Sequence, residues 1–329
     1  MKLRLHRPLS AALLSVMVLA NAQEAERPLP HSDPSNEGGW VYNEAISDEF
    51  EADQLDEDRW FIVGKFVDGK PTYVHPDDPK KFVWKGRAPS QFSGRNHRLE
   101  DGVLILETRW EPDFPFETEI RKPNFGEPTP YENITTPSLI QRREFTYGYM
   151  EARAKVADAE INSAFWTIGK GLEIDIFELF GDGRIKGKEH LDTQLWWSIR
   201  DWGKLKGQPA YTERRQLDFR PADDFHVYGL EWNPDGVRYF LDGKLIADVS
   251  ADQVREWAKA NNEVDDDYDG WVADRPLVLW LDMETFPWHG VPDSLEDLEA
   301  NSPEGENKDG KVEFKVDYVR LWQRAKPGE

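Results

Sequence analysis

The sequence predicts an all-β fold, a β-sandwich of antiparallel strands. Between about Val41 and Trp322, short stretches of alternating apolar and polar residues recur between turn signals, which is typical of sandwich strands. Helical periodicity is confined to residues 251–262 and 293–301. A chain of 329 residues is an ordinary size for one large all-β domain. Asp-Gly pairs, which favour tight turns, stand at 101–102, 182–183, 235–236 and 242–243.

The first 22 residues have the composition of a secretory signal peptide. A basic start at Lys2, Arg4 and Arg7 precedes a short apolar run over 11–19 and a small-x-small cleavage motif that ends at Ala22. The apolar run is too short to span a bilayer, and no comparable run follows it. We therefore expect a soluble, secreted protein, extracellular or periplasmic, without a membrane partner.

The composition of the remaining chain excludes several functions. Residues 23–40 are rich in Pro, Ser and Gly, which predicts a linker before a domain at 41–325. The chain has no cysteine, which excludes disulfides, thiolate catalysis and cysteine-ligated metals and fits an exported bacterial protein. The net charge of −22 argues against nucleic acid as a partner, because phosphate binding needs a basic surface. We expect a monomer.

Two predicted strands separate an apolar face from a face of tryptophans and polar groups. The strands cover residues 190–199 and 277–285, and their odd positions are mainly apolar. Aromatic rings stack on sugars while acids and amides bind hydroxyls, so the even faces predict a carbohydrate-binding cleft. Those even positions are His190, Asp192, Gln194, Trp196 and Ser198 in the first strand and Trp280, Asp282 and Glu284 in the second.

The stretch EIDIFELF, residues 173–180, changes phase in the middle of a predicted strand. Glu173 and Asp175 occupy odd positions and Glu178 an even one, and the apolar residues switch parity at the same place. A β-bulge near 176–177 accounts for the switch and directs all three acids to one face. Carboxylates held close together drive their pKa values apart, which gives one site both a nucleophile and a proton donor. The alternative is an acidic, solvent-facing strand without chemistry.

The same residues fit the signature E-[ILV]-D-x-x-E, and the chain over 45–322 resembles glycoside hydrolase family 16. The resemblance implies a β-sandwich jelly roll with two curved antiparallel sheets and a concave substrate cleft. It makes Glu173 the nucleophile and Glu178 the general acid/base of a retaining hydrolase, with Asp175 between them and hydrogen-bonded to Glu173. Further segments resemble family strands in family order: SDEFE (47–51), GRAPSQFSGRNHRLEDGVLIL (86–106), TYGYMEARAKV (146–156), FHVYGLEW (225–232) and FKVDYVRLW (314–322).

Additional cleft residues follow from this resemblance. Trp166 matches an aromatic floor near the cleaved bond, and His190 matches the start of the next cleft strand. Two stretches, LDMETFPWHGVPDSLEDLEAN (281–301) and WKGRAPSQF (84–92), resemble the branch of the family that cuts red-algal galactans. The substrate-binding residues expected from the resemblance and from the strand faces are Trp84, Arg87, Trp166, His190, Gln194, Trp196, Glu284 and Trp288.

The expected function is that of a secreted, endo-acting retaining hydrolase of β-1,4-galactosidic bonds. The stretch LWWSIRDWG (195–203) departs from the histidine-rich strand expected of an agarase, which leaves agar, porphyran and carrageenan-type chains as possible substrates. Two alternatives stay open. One is a laminarinase-like β-1,3-glucanase with the same acids, and the other is a carbohydrate-binding lectin, since jelly rolls host both.

The stretch 81–98 is basic, with no acid, in an otherwise acidic protein. We expect some of Lys85, Arg87, Arg95 and Arg98 to reach one end of the cleft and bind sulfate esters, and Arg87 is the strongest candidate. The alternative is a solvated loop whose charges balance acids elsewhere.

No cofactor is expected for catalysis, but the resemblance implies a structural cation, usually calcium. The matching ligands are the backbone carbonyls of Glu49 and Gly102 and the carboxylate of Asp317. Oxygen ligands of this kind suit Ca²⁺.

Overall fold

The computed structural model describes residues 27–75, 78–118, 120, 127–181, 187–264, 267–268, 275–300 and 309–324. Their regular secondary structure is almost entirely β-strand, with two α-helices and one short 3₁₀ turn at Leu191–Thr193. The helices are α1 (Ala251–Asn261) and α2 (Leu295–Glu299). The strands are β1 (Trp40–Tyr42), β2 (Trp60–Ile62), β3 (Lys65–Val67), β4 (Lys70–Thr72), β5 (Val74–His75), β6 (Asp78–Phe82), β7 (Gln91–Phe92), β8 (His97–Glu100), β9 (Val103–Trp110), β10 (Ile134–Thr136), β11 (Ser138–Gln141), β12 (Gly148–Lys155), β13 (Asn162–Gly169), β14 (Leu172–Phe180), β15 (Gln194–Asp201), β16 (Pro209–Gln216), β17 (His226–Asn233), β18 (Gly236–Leu241), β19 (Lys244–Ser250), β20 (Val278–Glu284) and β21 (Lys311–Arg324).

Two large sheets make up the sandwich. The ten-stranded sheet has the order β19-β18-β17-β12-β21-β9-β10-β7, with β1 paired to β21 and β8 to β9. The seven-stranded sheet has the order β16-β15-β14-β13-β20-β11-β2. Within the described residues, strands pair antiparallel except for β7 and β10, which run parallel. The all-β sandwich predicted from the sequence is confirmed.

The apolar faces of the strands meet between the two sheets. Around β20, the odd-numbered residues Leu277, Leu279, Leu281 and Met283 are at most 1% exposed, and the three leucines and Met283 belong to the main core. In β15, Leu195, Trp197 and Ile199 are at most 2% exposed and belong to the same core. Burying these side chains between the sheets leaves the even-numbered residues of both strands on the opposite face, as their alternation predicted.

The bulge predicted in β14 is present. Phe165 of β13 pairs with Phe177, whereas the next residue, Trp166, pairs with Asp175, so that Ile176 is the extra residue. The pairing with β15 shifts at the same place, between Asp175 and Glu178. One extra residue reverses the phase of the strand, and Ile174, Ile176, Phe177 and Leu179 all lie in the core.

Local chemistry accounts for the helices and turns that the sequence predicted. Ser250 and Gln253 form a capping box at the start of α1, and the Ser294 side chain caps α2. The Asp101-Gly102 and Asp242-Gly243 turns have positive φ at both residues, which suits two-residue hairpin turns. The Asp182-Gly183 pair lies outside the described residues. No helix in the described ranges is long and apolar enough to cross a membrane.

The described part of the predicted linker packs against the ten-stranded sheet. The His31 N–H donates to Oε2 of Glu151, 3.0 Å away, and the Trp322 indole donates to the Pro28 carbonyl at 2.7 Å. Trp40 is buried and opens β1. The predicted signal peptide, residues 1–22, lies outside the described residues.

Candidate active site

Cross-strand pairing places the three predicted acids on one face of the seven-stranded sheet. Directly paired residues on antiparallel strands point to the same face, with Cβ atoms about 4.5–5.5 Å apart. We call this surface the cleft face. Its rows of paired residues are Glu173–Arg200, then Trp280–Trp166–Asp175–Ser198–Thr212, then Asp282–Ala164–Glu178–Trp196–Arg214.

Glu173 is held by two donors. Its Oε1 lies 3.1 Å from Nε of Arg200, and its Oε2 accepts a 2.8 Å hydrogen bond from the Trp202 indole. Glu173 is only 8% exposed, and this burial raises its pKa to about 7, against the opposing effects of Arg200 and Trp202. Both donors favour the ionised form, which is the form that a nucleophile needs.

Asp175 lies between the two glutamates. Burial and then the charge of Glu173 raise its pKa to about 7. The Ser198 hydroxyl donates to Asp175, and Nε of Arg200 lies 3.7 Å from its Oδ2. Arg200 therefore faces both acids from β15. The predicted hydrogen bond between Asp175 and Glu173 requires a proton on one of them and stays a prediction.

Glu178 differs from the other two acids. It is partly exposed, and no hydrogen bond or ion pair joins it to another described residue. Burial, followed by the charge of Asp175, raises its pKa to about 7. Since donors at Glu173 and Asp175 stabilise their negative charges, a proton shared among the three acids is held best by Glu178. That is the protonation state a general acid requires.

Trp166 and Glu284 extend the site across β13 and β20. The Trp166 indole donates to Oδ2 of Asp282 at 3.0 Å, and its ring lies 4.7 Å from that of Trp280. Glu284 accepts a 2.7 Å hydrogen bond from the Trp84 indole. Burial and the charge of Glu284 raise the pKa of Asp282 well above its usual range.

An aromatic group adjoins the three acids. Trp196 pairs with Glu178 across the strands and stacks on Trp288, with ring centroids 5.4 Å apart. Gln194 accepts a hydrogen bond from the Trp196 indole at 2.7 Å. Phe180, two residues beyond Glu178, contacts both tryptophan rings at 5.0 Å. The structure thus brings Gln194, Trp196 and Trp288 together beside the acids.

The prediction that His190 starts a cleft strand is wrong. Strand β15 begins at Gln194, and His190 is an exposed residue that precedes the 3₁₀ turn. The turn forms because Thr193 bonds back to the His190 carbonyl and Asp192 pairs with Arg220. A substrate-binding role for His190 stays a prediction.

Three of the four cations expected at the cleft, Lys85, Arg95 and Arg98, pair with acids elsewhere, and binding of sulfate by the stretch 81–98 stays a prediction. Lys85 pairs with Glu117, Arg95 with Glu111, and Arg98 with Glu100, Glu107 and Glu313 on the ten-stranded sheet. Arg87 alone of these four pairs with a cleft-face acid: its Nε lies 3.5 Å from Oε2 of Glu284, and its guanidinium lies over the Phe286 ring. The charge of Arg87 is therefore shared with Glu284.

Arg200, Trp202 and the site role of Asp282 were not predicted from the sequence. Arg200 and Trp202 have the same parity as Gln194, Trp196 and Ser198, so extending the predicted strand 190–199 by three residues would have placed both on the cleft face. Asp282 lay on the even face of the predicted strand 277–285, but nothing in the alternation identified its partner.

The three predicted cation ligands lie around one part of β21. Glu49 follows Asp48, which bridges to Val319, and Gly102 precedes β9, in which Leu104 pairs with Val316. The Asp317 carboxylate already pairs with Arg153 at 2.9 Å, and the Glu49 side chain, which is not one of the predicted ligands, pairs with Arg320 at 2.7 Å. No group of three metal-binding side chains occurs among the described residues. One carboxylate and two carbonyls fit Ca²⁺ only if Arg153 releases Asp317, so calcium stays a proposal.

If calcium binds there, chelation with EDTA is expected to lower Tm by a few degrees, because an ion that binds only the folded state stabilises it. Asp317→Asn is expected to remove the difference in Tm between EDTA and excess calcium. Asp248→Asn, which changes an acid paired with Arg238 on the same sheet, should retain the difference. Equal Tm values for the parent protein in EDTA and in calcium would contradict the proposal.

A β-sandwich with three carboxyl groups on one face, beside tryptophans and an arginine, has the kinds of groups that a glycoside hydrolase uses. The chain belongs to glycoside hydrolase family 16, since the family model described as beta-porphyranase A-D, GH16 domain, matches residues 40–324. The family predicted from the acid signature is confirmed. The boundaries predicted for the signal peptide, linker and domain stay predictions.

Relatives and solved structures resemble this chain at modest identity. Beta-porphyranase B of Zobellia galactanivorans is 26% identical over an alignment of 340 positions, gaps included, which covers 94% of each chain. Beta-agarase AgaA of Microbulbifer thermotolerans is 28% identical over 284 residues, 78% of this chain and 59% of the relative. The crystal structure of porphyranase B from Z. galactanivorans aligns with a TM-score of 0.58 at 24% identity, over 86% of this chain and 92% of that one. The laminarinase catalytic domain from Thermotoga maritima aligns with a TM-score of 0.59 at 22% identity, over 87% and 99%. These two likenesses confirm the jelly-roll fold.

Proposed function

We propose that the protein is a secreted, endo-acting retaining hydrolase that cleaves β-1,4-galactosidic bonds of red-algal galactans, of the agar, porphyran or carrageenan type. The observation that carries the proposal is the segment 281–301, which resembles the galactan-cleaving branch. Within it, Asp282 and Glu284 lie on β20, two strands from the three acids, and Trp288 stacks on Trp196. The match to the beta-porphyranase family model supports the same branch. The composition of residues 1–22 supports export. N-terminal sequencing of the secreted protein tests it, and the expected first residue is Gln23.

The proposed reaction is a double displacement. Ionised Glu173 attacks the anomeric carbon while Glu178 donates its proton to the leaving glycosidic oxygen, which forms a glycosyl ester on Glu173. Ionised Glu178 then takes a proton from water, the water oxygen attacks the same carbon, and Glu173 leaves as a carboxylate. Arg200 and Trp202 stabilise the carboxylate of Glu173 before the first step and again as it leaves in the second.

A laminarinase-like β-1,3-glucanase is the second candidate. The fold supports it as well as it supports the galactanase, because the laminarinase and the porphyranase align with nearly equal TM-scores. Fold similarity does not choose the sugar.

We expect the protein to release reducing ends from at least one galactan in a panel of agarose, porphyran, κ-carrageenan and furcellaran, and not from laminarin. An endo-acting enzyme should lower the viscosity of the polymer before much reducing sugar appears. The Glu178→Gln protein serves as the inactive control. Cleavage of laminarin without cleavage of any galactan would exclude the proposed substrate and favour the second candidate.

A further inference from the structure

One row of the cleft face runs from the catalytic strand to the edge of the sheet. Glu178 of β14 pairs with Trp196 of β15, and Trp196 pairs with Arg214 of β16, which is the edge strand. Paired residues share a face, so Arg214 lies on the cleft face, two strand spacings or roughly 10 Å from the backbone at Glu178. A sugar chain that occupies the acids can therefore reach Arg214.

Arg214 is held in place without an acid partner. Its guanidinium carbon lies 3.8 Å from the centre of the Trp196 ring, and the side chain is exposed. No carboxylate of the described residues pairs with it, although acids outnumber bases by 22 in this chain. Its neighbours differ, since Arg215 has Glu213 nearby and Arg200 is bound by two catalytic acids. A guanidinium that is oriented by a ring and unpaired keeps its planar fork available for a ligand's oxygens.

The adjoining tryptophan offers a surface for a sugar. Trp288 stacks on Trp196 with an interplanar angle of 13° and is 45% exposed. Nζ of Lys188 is 5.3 Å from the centre of the Trp288 ring, whereas Arg214 lies on the ring of Trp196. Exposed aromatic surface suits the apolar face of a sugar, and a cation on the adjoining ring suits a negatively charged substituent.

Arg87, the candidate named from the sequence, is less suited to this role. It lies 3.5 Å from Glu284, which already neutralises part of its charge, whereas Arg214 has no such neighbour among the described residues. The simpler role for Arg214 is to cover the Trp196 ring, and that role would make its loss equally harmful with every substrate.

We propose that Arg214 binds an anionic substituent of the polysaccharide at the edge of the cleft face, beside the stacked rings of Trp196 and Trp288. A sulfate ester and a sugar carboxylate share the required chemistry, which is a set of oxygens that accept two parallel N–H bonds. The inference rests on the proposed function only in that the substrate is a polysaccharide cleaved at Glu173 and Glu178.

The test compares Arg214→Gln with Arg215→Gln, which removes the same charge from the next residue of the same strand. For each variant, kcat/KM is measured on a sulfated galactan that the parent protein cleaves and on the same galactan after chemical desulfation. We expect Arg214→Gln to lower kcat/KM on the sulfated chain by about ten- to a hundredfold, the usual range for a lost charged hydrogen bond, and to change the desulfated value by less than about twofold. Arg214→Lys keeps the positive charge but lacks the planar guanidinium, so it should recover part of the kcat/KM lost on the sulfated chain.

Binding separates failure of this inference from failure of the proposed function. In the inactive Glu178→Gln background, calorimetry with sulfated and desulfated oligosaccharides should show the same loss of affinity on Arg214→Gln, at an unchanged Tm. Equal losses on both ligands would overturn the anionic subsite while leaving the hydrolase intact. If the loss appears instead with a uronate-containing oligosaccharide, the substituent is a carboxylate and the subsite stands. If the parent cleaves no galactan, the proposed substrate is wrong, and the same calorimetry on laminarin oligosaccharides with and without sulfate still decides the role of Arg214.

Discussion

Glu173→Gly and Glu178→Gly are each expected to lose most hydrolytic activity and to respond to azide with opposite stereochemistry. Loss of the nucleophile should lower kcat by at least about 10⁴-fold, and loss of the acid/base by about 10²- to 10⁴-fold. Azide in Glu173→Gly occupies the nucleophile's place and attacks the anomeric carbon directly, so it forms a product of inverted configuration. Azide in Glu178→Gly needs no general base and attacks the glycosyl ester on Glu173, so it forms a product of retained configuration.

The configuration of the glycosyl azide, measured by NMR with an aryl glycoside whose leaving group needs no proton, identifies each residue's role. Glu178→Gln should also lose the alkaline limb of the pH–rate profile, because burial raises the pKa of this acid to about 7 and the limb reports loss of its proton. Glu213→Gly, an acid of the edge strand β16 that pairs with Arg215, is the control and should keep its activity. The opposite pair of configurations would exchange the two roles, and near-parental activity in either glycine variant would remove that residue from the mechanism.

Arg200→Leu is expected to lower kcat and to move the acidic limb of the pH–rate profile to higher pH. The nucleophile must be ionised, and its pKa is about 7 because burial outweighs the charge of Arg200 and the hydrogen bond from Trp202. Burial and the negative charge of Glu178 raise the pKa of Glu173, and the positive charges of Arg200 and Arg87 lower it. Without Arg200 only Arg87 remains as an opposing cation, so the pKa of Glu173 rises. Each unit of that rise costs about tenfold in rate at a pH below the limb.

The alkaline limb should move in the same direction, since Arg200 also lowers the pKa of Glu178. Arg200→Lys restores the charge near the two acids and should return the limbs towards their parental positions. Arg238→Leu is the matched control: this arginine also lies between two acids, Glu231 and Asp248, but on the ten-stranded sheet. A fall in kcat with an unmoved acidic limb would show that Arg200 only supports the local structure.

The catalytic acids were predictable because their signal is local. Alternation has a period of two, so the parity of Glu173, Asp175 and Glu178 and the simultaneous switch of the apolar residues are sufficient to locate the bulge without knowledge of any neighbouring strand. Helix α1 and the turns at 101–102 and 242–243 were predictable for a similar reason, because caps and positive-φ turns depend on a few adjacent residues.

The partners of the acids were not predictable in the same way. Alternation assigns a residue to a face, but it does not say which residue of another strand lies beside it, because that depends on register and strand order across the sheet. Arg87 illustrates the limit: the sequence placed it in a basic stretch, whereas folding brought it against Glu284, nearly two hundred positions away.

The sequence alone determined that this protein is an all-β sandwich with three acids on one face of a bulged strand, because side-chain alternation is a property of each strand by itself. Only the tertiary structure decided that Arg200 and Trp202 hold Glu173 and that Arg214 lies on the Trp196 ring. The same is true of the absence, within the described residues, of such a donor to Glu178. The physical reason is that burial and charge set protonation together, and both depend on neighbours that strand pairing brings close from distant parts of the chain.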